Sequence, residues 1–175
     1  MNIYLIGFMG SGKSTAGKRV AALLRWRFED IDRLVEQNEG IKVPEIFSTR
    51  GEEYFRSAES AALRQVSAKT RTVVACGGGT PCTAENLQVM KSTGITVYLK
   101  LPVENLVARL KRHGNDRPLL SNTDPVELTG RISSLLGERS HWYEQADLVI
   151  DATATDEEGM TSLIADTVRS RGAYL

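Results

Sequence analysis

The chain has few of the features that mark secreted, metal-binding or membrane proteins. It has two cysteines, Cys76 and Cys82, in 175 residues, and two thiols beside a glycine-rich turn make neither a disulfide framework nor a zinc site. Its two histidines are far apart in the sequence, which gives no reason to assign either one a metal or a catalytic role. No apolar run approaches the length of a membrane span. We therefore expect reduced thiols, a cytoplasmic protein and no membrane partner.

An excess of charge of either sign is also absent. Lys and Arg together number 22, as do Asp and Glu, so the formal net charge is +0. Without a bulk positive field, the chain is not expected to bind nucleic acid. The first strand-like run begins at residue 3, so we expect no signal peptide. The length favours one domain over residues 1–175.

The strongest positive feature is a complete phosphate-binding loop at Gly7–Thr15. It reads GFMGSGKST and fits the G-x-x-x-x-G-K-[ST] pattern. A buried strand is predicted before it at Ile3–Ile6, and a helix after it at Ala16–Leu24. The buried stripe of that helix is predicted to comprise Ala16, Val20, Leu23 and Leu24.

This loop predicts a nucleoside triphosphate site. Backbone N–H groups turn onto phosphate oxygens, and the following helix points its positive end at the same anion. Lys13 is expected to reach the outer phosphates as a catalytic group, and the Ser14 hydroxyl to hold Mg²⁺. The predicted ATP-binding residues of the loop are Gly10, Ser11, Gly12, Lys13, Ser14 and Thr15.

Strand-like runs alternate with helical patterns along the rest of the chain. This alternation predicts an α/β fold with a parallel sheet and helices on both faces. Four further strands are predicted at Trp26–Glu29, Thr72–Cys76, Ile95–Leu101 and Leu148–Ile150. The polar segment 113–124 is predicted to be an exposed mobile loop, with a helix starting at Asp124.

Two other helical patterns are distinctive. A short helix over Val43–Phe47 is predicted to precede Gly51 and a longer helix that ends near Ser67. The C-terminal helix is predicted to follow a capping box at Thr155–Glu158. Its buried stripe is predicted to comprise Met160, Leu163, Ile164 and Val168.

Asp30 and Asp32 follow a strand that could lie beside the first one. Ligands of an open parallel sheet bind at the carboxyl ends of its strands, and two carboxylates spaced two apart on an extended chain point the same way. One could hold Mg²⁺ through water, and the other could orient or accept the proton of a substrate hydroxyl. The alternative is that Asp32 only caps the helix that begins at Arg33. Spacing alone leaves both interpretations open.

Other features separate the classes of phosphate-loop protein. The chain has no Asn-Lys-x-Asp sequence to read guanine, which argues against a GTP switch. Asp151 follows the apolar run at Leu148–Ile150 and resembles part of a motor ATPase carboxylate pair. We interpret Asp151 as a polar cap at a strand end.

Glycines and arginines supply the remaining candidates. Gly77, Gly78 and Gly79 follow a buried strand, which indicates a tight turn, a close approach of backbone to a ligand, or both. Arg117 lies in the polar loop, where it could close over the triphosphate and exclude water. Taken singly, arginines such as Arg56, Arg117 and Arg139 are more often surface residues than ligands.

Taken together, these features resemble the shikimate kinase family. The matching segments cover nearly the whole chain and occur in the family's order: Gly7–Thr15, Asp30–Asp32, Phe55-Arg56 followed by Glu59, Gly77–Gly79, Asp116–Leu120, and Arg139 followed by Tyr143. The resemblance implies a phosphate-loop fold like that of nucleoside monophosphate kinases, with a five-stranded parallel core in three layers. It also implies a substrate-binding segment at about 32–60, a lid at about 112–124, and a monomer.

The resemblance implies a role for each matching residue. Asp32 would bind shikimate hydroxyls and act as the base, and Arg56 and Arg139 would grip the substrate carboxylate, a task that suits the planar guanidinium fork. Gly77, Gly78 and Gly79 would approach a substrate hydroxyl. Arg117 would be the catalytic lid arginine on the phosphates, and Asp30 would lie near Mg²⁺. Arg109 would stack on adenine, with residues near Thr153–Thr155 beside it.

The implied reaction transfers the γ-phosphoryl group of ATP to the 3-hydroxyl of shikimate in aromatic amino-acid synthesis. Rival interpretations are a gluconate kinase or a nucleoside monophosphate kinase on the same fold. Gluconate is the sharper rival because it is also a hydroxylated carboxylic acid. A rival of another class is a nucleotide-binding regulator, which would keep Lys13 and Ser14 but would not need Asp32 or a lid arginine.

Overall fold

A computed structural model describes residues 1–113 and 127–171. Within these ranges the chain forms five strands and seven helices. The strands are β1 (Asn2–Ile6), β2 (Arg27–Asp30), β3 (Thr72–Ala75), β4 (Gly94–Lys100) and β5 (Leu148–Asp151). The helices are α1 (Lys13–Leu24), α2 (Ile31–Glu39), α3 (Val43–Ser67), α4 (Ala84–Thr93), α5 (Val103–His113), α6 (Leu128–Tyr143) and α7 (Glu157–Ser170).

The strands form one parallel sheet in the order β2-β3-β1-β4-β5. Tyr4 of β1 pairs with Val74 of β3 on one side and with Thr96 of β4 on the other. The expectation that β2 could lie beside β1 is wrong, because β3 lies between them. The strand order reverses at β1, and such a reversal opens a crevice at the carboxyl ends of the strands.

Burial follows position in the sheet. Every residue of β1 and β3 is buried, because helices cover both faces of a parallel sheet. The edge strands β2 and β5 are more exposed. The predicted α/β fold and its five strands are confirmed, and no strand bound differs from its prediction by more than one residue.

Two leucines were assigned to buried stripes wrongly. Leu23 of α1 is 47% exposed and Leu163 of α7 is 44% exposed. Small residues complete the buried faces instead, since Gly17 and Ala21 are buried on α1 and Ala165 is buried on α7. A Cβ on Gly17 would lie 2.6 Å from Cε2 of a phenylalanine on β2, so this close packing requires glycine.

The ends and interruptions of three helices can be compared with the predictions. Gly51 has φ +82° and interrupts α3 between its two halves, as the sequence predicts. The capping residue of α7 is Asp156, whose carboxylate accepts a hydrogen bond from Gly159 N, and not Thr155. Helix α6 begins at Leu128, and its predicted start at Asp124 lies outside the described residues.

Candidate active site

The sheet topology brings three loops to one edge. The phosphate loop follows β1, Asp30 ends β2, and the three glycines follow β3. Because these strands are neighbours in the order β2-β3-β1, their carboxyl ends open into one cleft of about 1030 Å³. The cleft is lined by residues of the phosphate loop, both carboxylates, the glycine turn, and arginines of α3, α5 and α6.

The phosphate loop depends on glycine at two turns. Gly10 has φ +83° and Gly12 has φ +95°, a conformation that glycine adopts without steric cost. Gly12 also precedes the first residue of α1, so the positive end of the helix faces the loop. The Lys13 ammonium donates hydrogen bonds to Gly7 O at 2.9 Å and to Phe8 O at 2.8 Å. The loop therefore holds its own lysine over the phosphate site.

The Ser14 hydroxyl donates a hydrogen bond to the Asp30 carboxylate at 2.7 Å. Asp30 also caps α2 by accepting a hydrogen bond from Arg33 N. A hydroxyl and a carboxylate beside a phosphate loop suit Mg²⁺, which takes one or two protein oxygens and completes its shell with water and phosphate. The described residues contain no cluster of three or more His, Cys, Asp or Glu that could hold a metal, and a magnesium site of this kind does not require one.

Two arginines of α5 line the cleft, and one of them contacts the phosphate loop. Arg109 Nη1 lies 3.4 Å from both Gly10 O and Ser11 O. Arg109 and Arg112 line the cleft together with Thr155, which precedes α7, and Met160 in the first turn of α7. The structure thus brings Arg109 to the nucleotide end of the cleft. The predicted lid arginine, Arg117, lies outside the described residues.

Asp32 lies in the first turn of α2, one residue inside the helix. The expectation of an extended chain here is therefore wrong, and so is the alternative that Asp32 is the helix cap. The chain is not extended between Asp30 and Asp32, because α2 already begins at Ile31, and the helix cap is Asp30. Asp32 nevertheless lines the cleft, and a Cβ on Gly77 would lie 2.8 Å from Asp32 Oδ1. The helical turn directs Asp32 to the glycine turn, while Asp30 remains at Ser14.

Arg56 of α3 is held by carboxylates on two sides. Its Nε and Nη2 donate to Glu52 Oε1 at 3.2 and 2.8 Å, and its Nη1 donates to Glu59 Oε2 at 2.5 Å. Glu59 is 1% exposed and also accepts from the Thr80 hydroxyl at 2.7 Å. Burial alone would lower the Arg56 pKa, but Glu59 and Glu52 outweigh it and raise the pKa. The guanidinium therefore remains charged at the cleft.

The second and third glycines of the turn lie against the two predicted clamp arginines. A Cβ on Gly79 would meet the Arg56 guanidinium, at 3.0 Å from Nη2. A Cβ on Gly78 would lie 3.3 Å from Arg139 Nη1 and 3.6 Å from Met9 N of the phosphate loop. A side chain at either position would fill space beside a guanidinium. The turn therefore permits a close approach to the arginines as well as the change of chain direction.

Arg139 of α6 enters the same cleft from the other side of the glycine turn. It is 8% exposed, and its Nη1 atom has no hydrogen-bond partner among the residues that the structure describes. Its guanidinium lies 5.9 Å from the centre of the Phe8 ring. A buried guanidinium nitrogen without a partner is costly, so this geometry favours an anionic ligand beside it.

The remaining sequence candidates do not enter the chemistry of this cleft. Asp151 accepts hydrogen bonds from the Thr153 amide and hydroxyl at the end of β5, which confirms it as a polar cap. Cys76 lies just before the turn and lines the cleft, but it is buried, and burial raises its pKa. Burial also raises the pKa of Cys82 to about 11, although the Arg139 and Arg56 charges oppose the shift. Neither thiol has the low pKa of a reactive cysteine.

Sequence reasoning gave no role to Glu59, Glu52 or Thr80, which hold Arg56 in place. The signal for the two carboxylates was available, because Glu52 and Glu59 lie four residues before and three residues after Arg56 on one helix. Thr80 could not be found this way, since it contacts Glu59 from a different segment.

A phosphate loop after the first strand of a parallel sheet, opening into a cleft with a carboxylate and two arginines, defines a phosphate-loop kinase of small molecules. The family model described as shikimate kinase matches residues 9–169. The chain therefore belongs to the shikimate kinase family. No helix within residues 1–113 and 127–171 has the length and apolar character needed to cross a membrane.

Individual relatives of known function or structure show how similar the chain is to members of this family. It is 40% identical over 172 residues to the shikimate kinase of Caldanaerobacter subterraneus subsp. tengcongensis, covering 98% of each chain. The shikimate kinase of Acinetobacter baumannii, solved in complex with shikimate, superposes with a TM-score of 0.89 at 34% identity, covering 97% of this chain and 93% of that one. A gluconokinase of Sinorhizobium meliloti superposes with a TM-score of 0.60 at 17% identity, covering 97% and 96%. The gluconokinase shares the fold alone.

Proposed function

We propose that the protein is a shikimate kinase, which transfers the γ-phosphoryl group of ATP to the 3-hydroxyl of shikimate. The observation that carries this proposal is the pairing of Arg56 and Arg139 on either side of the glycine turn, with Asp32 beside them. Two guanidinium groups suit a carboxylate, and an aspartate suits a hydroxyl that must lose a proton. Shikimate carries both groups on one small ring. The 40% identity to a curated shikimate kinase supports the same substrate.

Different residues of the cleft bind the nucleotide, bind the acceptor and take the proton in phosphoryl transfer. Lys13 and the loop amides bind the triphosphate, while Arg56 and Arg139 hold the acceptor by its carboxylate. Asp32 orients the acceptor hydroxyl and takes its proton. Ser14 and Asp30 would hold Mg²⁺, which neutralises phosphate charge when bound. Arg117 would add positive charge at the transferring group, a role that rests on the family resemblance.

The remaining parts of the proposal concern organisation. Residues 1–175 would form one kinase domain, with an acceptor segment at about 32–60 and a lid at about 112–124. Arg109 would stack on adenine, and this is supported by its place beside the phosphate loop at the nucleotide end of the cleft. We expect a monomeric cytoplasmic enzyme whose partners are ATP and shikimate, with no nucleic-acid or membrane partner.

The test is ADP release from Mg-ATP with shikimate, gluconate, AMP or no acceptor. Release with shikimate alone is the expected result. Release with gluconate or AMP would keep the phosphate loop and overturn the acceptor assignment. No release in any reaction, from protein that binds ATP, would favour the nucleotide-binding regulator.

A further inference from the structure

Tyr143 connects the two parts of the acceptor site but has no role in the reaction described so far. It lies at the last residue of α6, four residues after Arg139, and is completely buried. Residues four apart lie on the same face of a helix. The Tyr143 hydroxyl donates a hydrogen bond to Gly78 O at 2.5 Å. One face of α6 therefore supplies both a predicted clamp arginine and a ligand for the glycine turn.

The three carbonyls of the turn are fixed in two ways. Gly77 O accepts from Thr80 N at 3.2 Å, and Gly79 O accepts from Cys82 N at 3.0 Å. These bonds are local and would form in any similar turn. The middle carbonyl, Gly78 O, instead accepts from the Tyr143 hydroxyl and, more weakly, from the Cys82 thiol at 3.6 Å. The orientation of the middle peptide thus depends on a side chain more than 60 residues away in the sequence.

That orientation decides where an amide donor points. The Gly78–Gly79 peptide is trans, since the described residues contain no cis bond, and a trans peptide directs its C=O and its N–H to opposite sides. With Gly78 O directed at Tyr143, the Gly79 N–H points away from Tyr143. Glycines have no Cβ to restrict rotation of this peptide. Its orientation therefore depends more on the hydrogen bond to its carbonyl than the orientation of a peptide between other residues would.

We propose that Tyr143 is a positioning residue for the acceptor: its hydroxyl fixes the Gly78–Gly79 peptide so that the turn presents the Gly79 amide to an acceptor bound between Arg56 and Arg139. Tyr143 does not itself touch the acceptor. This inference rests on the proposed function, because it assigns Tyr143 to the acceptor half of the kinase site. It predicts that loss of the hydroxyl weakens acceptor binding and leaves ATP binding unchanged.

The chain offers a matched control in Tyr4. Tyr4 is also completely buried, and its hydroxyl shares a 2.7 Å hydrogen bond with the Thr93 hydroxyl. Thr93 ends α4 just before β4 begins, at the end of the sheet opposite the cleft. Tyr143→Phe and Tyr4→Phe each remove one buried phenol hydroxyl and keep the ring. A role limited to stability predicts the same behaviour for both variants. Because the Tyr143 hydroxyl also interacts with Arg139, the Gly78 and Gly79 amide resonances report on the peptide separately from the shikimate affinity.

The experiment measures Kd and KM for shikimate and for ATP in the wild type, Y143F and Y4F, together with Tm. We expect Y143F to raise the shikimate Kd and KM about 3- to 10-fold, the effect of one hydrogen bond, with ATP affinity within about 2-fold of the wild type. Y4F should lower Tm and change neither affinity. In ¹⁵N-labelled protein, the Gly78 and Gly79 amide resonances should shift in Y143F but not in Y4F.

Three results would overturn the inference: unchanged shikimate affinity in Y143F, equal losses in Y143F and Y4F, or a parallel loss of ATP affinity. Wild-type turnover with shikimate is measured first, so a failure of the proposed function is distinguishable from a failure of this inference. If Y143F does not fold, Cys82→Ala removes the weaker partner of the same carbonyl. We then expect an increase of about 2-fold in the shikimate Kd, and no change would count against the proposal.

Discussion

The two halves of the cleft are built by different means. In the nucleotide half, nine consecutive residues provide the loop, and Lys13 is held by the carbonyls of Gly7 and Phe8. In the acceptor half, Asp32, Arg56 and Arg139 come from three helices, and the first and last of these residues are more than 100 residues apart in the chain. The nucleotide half therefore depends on local backbone geometry, and the acceptor half depends on tertiary packing.

Charge balance differs between the halves as well. Arg56 is paired with Glu52 and Glu59, whereas Arg139 Nη1 has no hydrogen-bond partner in the described part of the chain. Desolvated charge without a partner is costly. We infer that the acceptor half is completed by its ligand, whereas in the nucleotide half the Lys13 ammonium already donates to the Gly7 and Phe8 carbonyls. The following variants test this contrast, from the largest expected effect to the smallest.

Asp32→Asn should have the largest effect, because it should lower kcat while leaving ATP affinity unchanged. The amide cannot accept the proton of the acceptor hydroxyl, so we expect kcat to fall about 10²–10⁴-fold. ATP affinity should be largely unchanged, because Lys13 and the loop amides are untouched. Asp151→Asn is the matched control, since Asp151 is an exposed carboxylate at the end of β5. Near-normal turnover in D32N would reject Asp32 as the base.

Arg139→Ala and Arg56→Ala should both weaken acceptor binding, by about 10- to 100-fold in Kd, the effect of losing about 1.5–3 kcal/mol from a hydrogen bond to a charged group. The measurement is a shikimate titration beside an ATP titration. Arg169→Ala, on the exposed face of α7, is the control. Unchanged shikimate affinity in both variants would contradict the carboxylate clamp.

Stability should distinguish these two arginines from each other. Arg56→Ala leaves the Glu59 carboxylate, which is 1% exposed, without its cationic partner, and we expect a loss of about 1–3 kcal/mol in the free energy of unfolding. Arg139→Ala removes a guanidinium whose Nη1 atom has no hydrogen-bond partner in the described part of the chain. We therefore expect a smaller loss in the free energy of unfolding. The double variant Arg56→Ala/Glu59→Gln should recover part of the lost stability in urea unfolding. Equal losses in the two single variants would contradict the difference in pairing.

Gly79→Ala should affect the acceptor half alone. Its Cβ would meet the Arg56 guanidinium, whose position is fixed by Glu52 and Glu59, so the arginine must shift. We expect the shikimate KM to rise about 3- to 10-fold, the effect of one weakened hydrogen bond, with the ATP KM unchanged. Gly137→Ala is the control, because nothing lies within 4 Å of its added Cβ on α6. A parallel rise in both KM values would mean that the turn also shapes the nucleotide half.

Asp147→Asn should affect neither half and serves as a baseline for stability. Partial burial would raise the Asp147 pKa, but hydrogen bonds from the Thr96 amide and hydroxyl, with Arg171, outweigh it and lower the pKa. A carboxyl with a lowered folded-state pKa stabilises the fold above its unfolded pKa of about 4. The Tm difference between wild type and D147N should therefore be present at pH 7 and shrink as pH falls below about 4. A difference independent of pH would exclude this charge as its source.

The phosphate loop was the feature that a contiguous sequence pattern predicted best. Its glycines, lysine and serine are fixed by backbone geometry over nine residues, so their arrangement could be predicted without knowledge of the fold. The alternation of strands and helices likewise predicted the parallel sheet, because burial on both faces selects continuous apolar strands. The buried stripes of α1 and α7 were predicted less well. Leucine is the obvious apolar residue in a sequence, but Gly17, Ala21 and Ala165 fill the closest contacts.

The acceptor half needed the resemblance to a family, and its internal contacts needed the structure. Spacing left open whether Asp32 was a cap or a ligand, and the structure assigns the cap to Asp30 because α2 begins at Ile31. The links from Glu59 to Thr80 and from Tyr143 to Gly78 join segments 21 and 65 residues apart. No local periodicity encodes such links.

The sequence by itself determined the phosphate loop, the order of strands and helices, and the candidate residues of both halves. Only the tertiary structure decided that β3 lies between β1 and β2, and that the glycine turn is held between Arg56 and Arg139. The physical reason is the range of the interactions. Loop and helix geometry depends on neighbours a few residues away, whereas the order of parallel strands and the contacts between helices depend on how buried surfaces fit together over the whole chain.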